Sequence, residues 1–304
     1  MDTPQTGIFS LGDAAHIYLE FERHDHVAAG ALISTIADIH EPRTTVGGVN
    51  LVVGFRPELW REAVPGDTPL DLAGFNDELR GPDGYVMPAT QADAWVWVAG
   101  ASYDVCFDVA RDTIAILQPI AKLASELDGW SYRHSRDLTG FEDGTKNPSL
   151  LDALDIALVP DGEPGTGGSV LLYQKWRHAS EFAALPIESQ ERVIGRTKAE
   201  SIELKEDVMP ADAHVPRTTI DDNGKELKIF RRNVPYGSVT DHGTVFVGFS
   251  CEQRRLDRML RRMAGMEDGI RDALTRYTTA LSGAYYFIPS AQALSRFSTP
   301  KDDD

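Results

Sequence analysis

The sequence predicts an α+β fold with antiparallel sheets, divided into two halves at residues 1–150 and 151–304. Two observations lead to this prediction. Apolar residues change repeatedly between strand-like alternation and helical spacing along the chain, and the order of elements in the first half returns in the second. That order is β-α-β-β-α-β, which is the ferredoxin-like arrangement.

The first half begins with a strand at residues 16–21, HIYLEF, where the side chains alternate in character. Residues 27–39 are predicted to form a helix because apolar residues recur there at helical spacing. A valine-rich strand follows at residues 46–55. The third strand, AWVWVA, covers residues 94–99.

The clearest helical periodicity in the chain follows this third strand. Five apolar residues share one helical face, namely Val109, Leu117, Ile120, Leu123 and Leu127. Pro119 lies within the pattern and can kink the helix. Gly129 is a suitable C-terminal stop, and residues 130–134 are predicted to begin the fourth strand.

The second half repeats this order. Its strands are predicted at residues 169–176, 227–231, 244–249 and 285–288. Its helical stretches cover residues 188–194 and 254–277, the second with an interruption at Gly265. Two long irregular segments, residues 65–91 and 197–223, interrupt the pattern, and loops of that length are usually functional or flexible.

Composition narrows the class of protein. The formal charge of −17 is spread along the chain, and such a surface repels phosphate backbones and anionic lipid, so neither nucleic acid nor membrane is an expected partner. No stretch approaches the roughly 20 apolar residues of a membrane span, and no export signal is recognised. Cys106 and Cys251 are too few for a disulfide framework, so we expect a cytoplasmic protein.

The first motif that can carry chemistry is LTGFEDGTKNP at residues 138–148, where Gly140 and Gly144 bracket Glu142 and Asp143. Glycine adopts backbone angles that other residues avoid, so this segment is a shaped turn that can hold Asp143 beside a ligand. The same residue types also fit an ordinary surface turn.

The second motif is FRRNVPYG at residues 230–237. Neighbouring strand residues face opposite sides, so Arg231 and Asn233 can enter one pocket while Arg232 points away from it. A pair of solvated arginines is the alternative. The third candidate is His214, although a loop histidine beside a proline is usually exposed.

Together these motifs resemble the dye-decolorising peroxidases, in particular their bacterial intracellular branch. The GFEDGTKNP run contains the family's Gly-x-x-Asp-Gly signature. His214 follows Asp143 by 71 residues, and Arg231 with Asn233 follows after 17 more, in the family's order. The segments PQTGIFSLG and AYYFIPS are also similar to that branch, so the resemblance covers nearly the whole chain and includes the duplicated ferredoxin-like fold.

The resemblance implies a haem peroxidase in which the C-terminal half holds most of the haem. By position, Asp143 resembles the distal acid–base, Arg231 the distal arginine, and Asn233 a distal amide that some members replace with serine. His214 resembles the proximal iron ligand, and Asn147 resembles a residue near the haem propionates. In that role Asp143 moves a proton between the peroxide oxygens, while Arg231 stabilises negative charge on the leaving oxygen.

The family also places an acid behind the proximal histidine, usually on the last long helix. Asp272 is the candidate for this acid and Asp268 is the alternative. No Cys-x-x-Cys-His occurs, so one non-covalent haem b per chain is expected. His134 is the rival iron ligand, but the ligand and Asp143 must lie on opposite haem faces, and His134 is close to Asp143 in sequence.

The expected substrates are hydrogen peroxide and a small-molecule reductant such as a dye, a phenol or a porphyrin-like compound. The alternative function is haem handling, either as a carrier or in removing iron from porphyrin, although a carrier has no use for Asp143 or Arg231. The resemblance further implies a homo-oligomer. The closing residues SRFSTPKDDD contain no encapsulin-targeting extension, so we expect a free enzyme.

Overall fold

The computed structural model describes residues 2–39, 48–133 and 135–299, which form a mixed α/β structure with antiparallel sheets. A short 3-10 helix, Thr6–Phe9, precedes the first strand. The strands of the first half are β1 (Ala15–Arg23), β2 (Val49–Phe55), β3 (Leu79–Arg80), β4 (Val86–Met87), β5 (Ala94–Gly100) and β6 (Ala121–Trp130). The helices are α1 (Ala29–Ala37), α2 (Pro57–Ala63), α3 (Tyr103–Leu117) and α4 (Leu150–Ala157), the last leading into the second half.

The second half has longer connections between its strands. The strands are β7 (Ser169–His178), β8 (Asp221–Asp222), β9 (Lys225–Glu226), β10 (Phe230–Arg231), β11 (Val234–Gly237), β12 (His242–Ser250), β13 (Thr278–Ala280) and β14 (Ala284–Ile288). The helices are α5 (Ser180–Ala184), α6 (Ile187–Ile194), α7 (His214–Thr218), α8 (Gln253–Met263) and α9 (Ala291–Ser295). A second 3-10 helix, Ala273–Arg276, precedes β13.

A ten-stranded sheet with the order β10-β12-β11-β6-β1-β5-β2-β14-β7-β13 organises the described residues. Because β12 also pairs with β7, eight of these strands close into a ring. Each half contributes four strands to the ring. The halves join where Tyr236 of β11 lies opposite Gly129 of β6, and where Phe287 of β14 lies opposite Phe55 of β2.

Most of the predicted elements are confirmed, but the long helix through residue 127 is wrong. The helix α3 ends at Leu117, and the chain then reverses into β6. Pro119 has no N–H and clashes with the preceding helical turn, so the helix stops before it. Leu123 and Leu127 fit helical spacing, but here they lie on β6, where a shift in the pairing with β1 puts them on opposite faces of the strand. Of the strand predicted at residues 130–134, only Trp130 is in a strand, as the last residue of β6, and His134 lies outside the described residues.

Three predictions in the second half also need correction. The helical stretch at residues 254–277 is α8 followed by a turn at Gly265, where φ is 74°, and then the short 3-10 helix. The predicted irregular segment at residues 197–223 contains α7, which begins at His214. Only Phe230–Arg231 of the strand predicted at residues 227–231 is extended and paired. Of the strand predicted at residues 46–55, the first two residues lie outside the described residues.

The ring separates two hydrophobic cores. Most of the helices pack against its outward face, whereas Ala153 and Ala157 of α4 belong to the inner core. Its inside is filled with large aromatic side chains, among them Tyr18, Trp95, Trp97, Tyr173, Phe249 and Tyr286. Alternation along β7 and β12 therefore sends every second side chain outwards, and some of these outward side chains line the cavity described below.

One carboxylate, that of Glu20, is buried inside this aromatic core. It accepts a hydrogen bond of 2.6 Å from the Tyr286 hydroxyl, and burial raises the pKa of Glu20 to about 7. Below about pH 4.5 Glu20 is protonated in the folded and the unfolded chain alike. Between pH 4.5 and 7 only the unfolded chain releases this proton, so the free energy of unfolding falls as the pH rises.

We therefore expect the free energy of unfolding of Glu20→Gln, relative to that of the wild type, to be higher at pH 8 than at pH 4.5. A pKa rise of this size corresponds to roughly 2 to 4 kcal/mol. Thermal melts of both proteins across this pH range measure the difference. Glu22→Gln, on the same strand but half-exposed beside Lys122, is the matched control and is expected to show no such trend. A constant difference between Glu20→Gln and the wild type at all pH values contradicts the prediction.

Candidate functional site

A cavity of about 1100 Å³, its open mouth included, lies between the outward face of β7 and β12 and the helices α7 and α8. The turn at residues 139–146 closes another side. Most of its wall is apolar, with contributions from Phe141, Trp176, Ile194, Phe246, Met259, Leu260, Met263 and Leu274. Predicted residues from three different segments, His214, Asp143 and Arg231 with Asn233, all line this one cavity.

His214 is the first residue of α7, and its ring is held by a buried acid. Its Nδ1 lies 2.6 Å from an oxygen of Asp272, a side chain with no exposed surface. A carboxylate can only accept, so Nδ1 carries the hydrogen and Nε2 keeps its lone pair. The other oxygen of Asp272 accepts the backbone N–H of Leu274 at 2.9 Å and caps the second 3-10 helix. This arrangement fixes the ring and leaves Nε2 as a metal-ligand atom.

Asp268, the alternative partner for the histidine, is engaged elsewhere. It accepts two hydrogen bonds, of 2.7 and 2.8 Å, from the buried guanidinium of Arg217 on α7. Arg217 also donates to the carbonyl of Arg262 at the end of α8. Neither acid lies on the last long helix, because α8 ends at Met263. The structure thus brings Asp272 to His214 and uses Asp268 to lock α7 against α8.

The turn that carries Asp143 needs glycine on both sides. Gly140 and Gly144 have φ values of 88° and 79°, angles that residues with a Cβ rarely adopt. One carboxylate oxygen of Asp143 accepts the N–H of Gly144 at 2.7 Å, and its backbone N–H donates to the carbonyl of Ser135. Within the described residues the other oxygen of Asp143 makes no hydrogen bond, and Asp143 lines the cavity.

Asn147 ties this turn to the strand that carries Arg231. Its Nδ2 donates to the carbonyl of Arg231 at 2.8 Å, and its Oδ1 accepts the N–H of Arg231 at 2.9 Å. The pair of bonds resembles one step of a β-ladder and sets the spacing between Asp143 and Arg231. Asn233 accepts the N–H of Val247 through Oδ1 at 3.0 Å, which leaves its amide N–H groups as donors.

Arg232 points away from the cavity that holds His214, as strand alternation predicts. Its guanidinium donates to the carbonyl of Ile8 at 2.8 Å and stacks over the ring of Trp97 at 5.1 Å. Burial lowers the pKa of Arg232, but not enough to remove its charge. Asp13 lies 3.8 Å away and is its nearest anionic partner in the described residues.

A second, more polar cavity of about 1130 Å³ lies behind the first. The wall between the two cavities consists of residues that line both, namely Asp137, Glu142, Asp143, Gly144, Arg231, Asn233 and Thr244. Asn147 and Arg232 line only the second cavity. The predicted distal groups therefore stand in a partition between an apolar chamber and a polar one.

Comparison with known proteins agrees with this geometry. A family model for the C-terminal part of Dyp-type peroxidases matches residues 134–293, which is more than half of the chain. The chain belongs to this family. A dye-decolorizing peroxidase of Rhodococcus erythropolis is 35% identical over 303 residues, covering 96% of this chain and 88% of that protein. One of Mycolicibacterium paratuberculosis is 35% identical over 291 residues, covering 88% and 82%.

Solved structures of Dyp-type peroxidases have the same fold. A Dyp-type peroxidase from Shewanella oneidensis superposes with a TM-score of 0.90 at 30% identity, covering 98% of this chain and all of that one. A DypB variant from Rhodococcus jostii in complex with haem gives 0.85 at 34% identity, covering 94% and 96%. The resemblance inferred from the sequence motifs is confirmed.

The structure of this Dyp-type peroxidase adds two cations that the motifs did not single out. Arg196 and Lys146 line the first cavity, and both contact Glu203, with Lys146 at 3.2 Å. Arg196 follows Gly195, the residue that caps the end of α6. Lys146 lies within the GFEDGTKNP run, next to Asn147. Glu203 lies seven residues after Arg196 but far from Lys146 in sequence, and no motif marks either cation as part of the cavity.

Proposed function

We propose that this Dyp-type peroxidase binds haem in the first cavity and reduces hydrogen peroxide there while oxidising small-molecule reductants one electron at a time. One observation carries the proposal. His214, held by Asp272, lines the same apolar cavity as Asp143 and Arg231, which come from other segments of the chain. One cavity thus combines a metal ligand with groups for proton and charge chemistry.

The residues of the cavity fit a haem. Its apolar wall suits a flat macrocycle, and the free Nε2 of His214 suits iron. Arg196 and Lys146 supply positive charge for the two propionates. Because the sequence has no Cys-x-x-Cys-His, the cofactor is a non-covalent haem b, one per chain. The ligand and both cations come from the C-terminal half or from the turn that leads into it.

When bound, haem would supply the redox-active iron that hydrogen peroxide oxidises. Asp143 takes a proton from one peroxide oxygen and returns it to the other, through the carboxylate oxygen that does not accept the Gly144 N–H. Arg231 stabilises the negative charge on the departing oxygen. The amide N–H groups of Asn233 add a neutral donor to the same wall. Asp272 keeps the ring of His214 in the orientation that presents Nε2.

The finer description of the fold and setting is also part of this proposal. Each half is a ferredoxin-like unit, divided near residue 150, and the strand orders β6-β1-β5-β2 and β11-β12-β7-β14 support this description. The free thiols of Cys106 and Cys251 support a cytoplasmic location. No helix in the described part of the chain is long and apolar enough to cross a membrane. The homo-oligomer and the free, unencapsulated enzyme stay predictions.

Absorption spectra and steady-state kinetics of the haem-loaded protein test the function. We expect a Soret band typical of ferric histidine-ligated haem and peroxide-dependent oxidation of a dye and a phenol. Haem binding without peroxide turnover contradicts the peroxidase and favours haem handling. Failure to bind haem contradicts both functions.

A further inference from the structure

Three polar side chains form a hydrogen-bonded row that the mechanism above does not use. They are His178 at the end of β7, Thr244 on the neighbouring strand β12, and Asp137 just before the glycine turn. Nε2 of His178 lies 3.0 Å from the Thr244 hydroxyl, which in turn donates to a carboxylate oxygen of Asp137. The side chains of His178 and Asp137 are only 8% and 16% exposed, so the row is largely shielded from bulk water.

The chemistry of the three groups fixes the direction of these hydrogen bonds. The carboxylate of Asp137 can only accept, so the Thr244 hydroxyl donates its one hydrogen to it. The Thr244 oxygen must then accept from His178, which places the ring hydrogen on Nε2. The other oxygen of Asp137 accepts the N–H of Thr139 at 2.8 Å. The row therefore runs one way, from N–H through O–H to carboxylate.

Burial lowers the pKa of His178, and the neighbouring His242 acts in the same direction, while Asp137 opposes both. The ring of His242 lies edge-on to His178 at 6.3 Å. A neutral imidazole can receive a proton on one nitrogen and release one from the other, which is what a relay requires. Thr244 passes a proton on by accepting one and donating its own.

The row ends at the partition between the two cavities. Asp137 and Thr244 line both cavities together with Asp143, and His178 lines the first. A polar cavity of this size holds water, which can carry a proton over the remaining gap from Asp137 to Asp143.

We propose that His178, Thr244 and Asp137 form a proton-transfer chain that supplies the cavity wall beside Asp143 with protons during turnover. This proton-transfer chain rests on the proposed peroxidase function. It matters for reductants that donate electrons without protons. Two ferrocyanide ions reduce one hydrogen peroxide to two waters only if two protons are added from elsewhere. Hydroquinone reduces the same peroxide to two waters with its own two protons and leaves as quinone.

The experiment compares these two reductants in the haem-loaded wild type, Thr244→Val and Thr244→Ser. Valine has nearly the shape of threonine but cannot relay a proton, whereas serine keeps the hydroxyl. We expect Thr244→Val to lower kcat with ferrocyanide by roughly 10-fold or more, the scale of losing an acid–base group. With hydroquinone its kcat should stay within about 3-fold of the wild type, and Thr244→Ser should restore turnover with ferrocyanide. Each donor is compared only with itself, so differences in docking cancel.

A second measurement does not depend on turnover. Nitrogen-15 NMR of the histidine rings in the haem-free protein should show His178 with its hydrogen on Nε2 in the wild type and in Thr244→Ser. In Thr244→Val this acceptor is lost and Asp137 is 3.8 Å from Nε2, too far for a hydrogen bond, so the preference for this tautomer should weaken. Thermal melts confirm that each variant is folded.

The outcomes separate the two hypotheses. Equal losses with both reductants, or no loss with either, overturn the proton chain while the peroxidase stands. A wild-type His178 with its hydrogen on Nδ1 overturns the chain by itself. A wild-type protein that oxidises neither reductant with peroxide overturns the proposed function, and the NMR arm still reports whether the hydrogen-bonded row exists.

Discussion

Replacing His214 with alanine is expected to remove most of the haem. The Nε2 atom of this residue is the free imidazole nitrogen that Asp272 orients within the cavity, so its loss leaves iron without a protein ligand. The haem content after reconstitution and the position of the Soret band measure the effect. Full haem content with an unchanged Soret band would falsify the assignment, and His134 is then the next candidate to replace.

Two aspartate variants give this prediction a graded control. Asp272→Asn keeps the shape of the side chain but removes the charge that His214 Nδ1 faces, and such changes cost about 10- to 100-fold in metal affinity or activity. Asp268→Asn is the same substitution on the acid that binds Arg217. It should lower Tm and leave the Soret band unchanged. A spectral change in Asp268→Asn that matches the one in Asp272→Asn contradicts the distinction between the two acids.

The strands of this fold are predictable because the hydrophobic pattern of each short segment indicates them. The runs HIYLEF and AWVWVA alternate or are continuously apolar, and both are central strands of the ring, β1 and β5. The closure of the ring is not local. It depends on pairing β12 with β7 and on joins such as Phe287 opposite Phe55, which link residues more than 60 positions apart. No periodicity within one segment specifies such contacts.

The error in the first half also has a local cause. Ile120, Leu123 and Leu127 continue the helical spacing of α3 by coincidence, since Leu123 and Leu127 lie on β6 and contact different hydrophobic cores. Pro119 was the better signal, since it ends the helix instead of kinking it. The reversal at this point is what places β6 beside β1.

The candidate site also combines features that local sequence predicts with features that it does not. Strand alternation alone separates Arg231 from Arg232, and in the structure Arg231 lines the first cavity whereas Arg232 lines only the second. The contact of His214 with Asp272 spans 58 residues, so only the family resemblance suggested it. The expected place of Asn147 near the propionates stays a prediction, and the structure adds that its side chain is bonded to the backbone of Arg231. That role requires knowing that the two segments are adjacent, which the sequence does not state.

Arg231→Leu is expected to slow the reaction of the haem-loaded protein with hydrogen peroxide by roughly 100- to 1000-fold. The guanidinium lines the partition beside Asp143, and its position is set by the two hydrogen bonds between Asn147 and the Arg231 backbone. Leucine keeps the strand but offers no charge to the departing oxygen. Stopped-flow measurement of the bimolecular rate constant, normalised to bound haem, isolates this step from later electron donation.

The matched control for this prediction is Arg232→Leu, the same change one residue along the strand. Arg232 holds the carbonyl of Ile8 and covers Trp97, so its loss should lower Tm while the rate constant with peroxide changes by less than about 3-fold. Its side chain is only 8% exposed, so we expect its replacement to lower stability and to leave turnover nearly unchanged. Similar losses of rate in both variants would mean that general disturbance of this strand, and not the charge of Arg231, controls the reaction with peroxide.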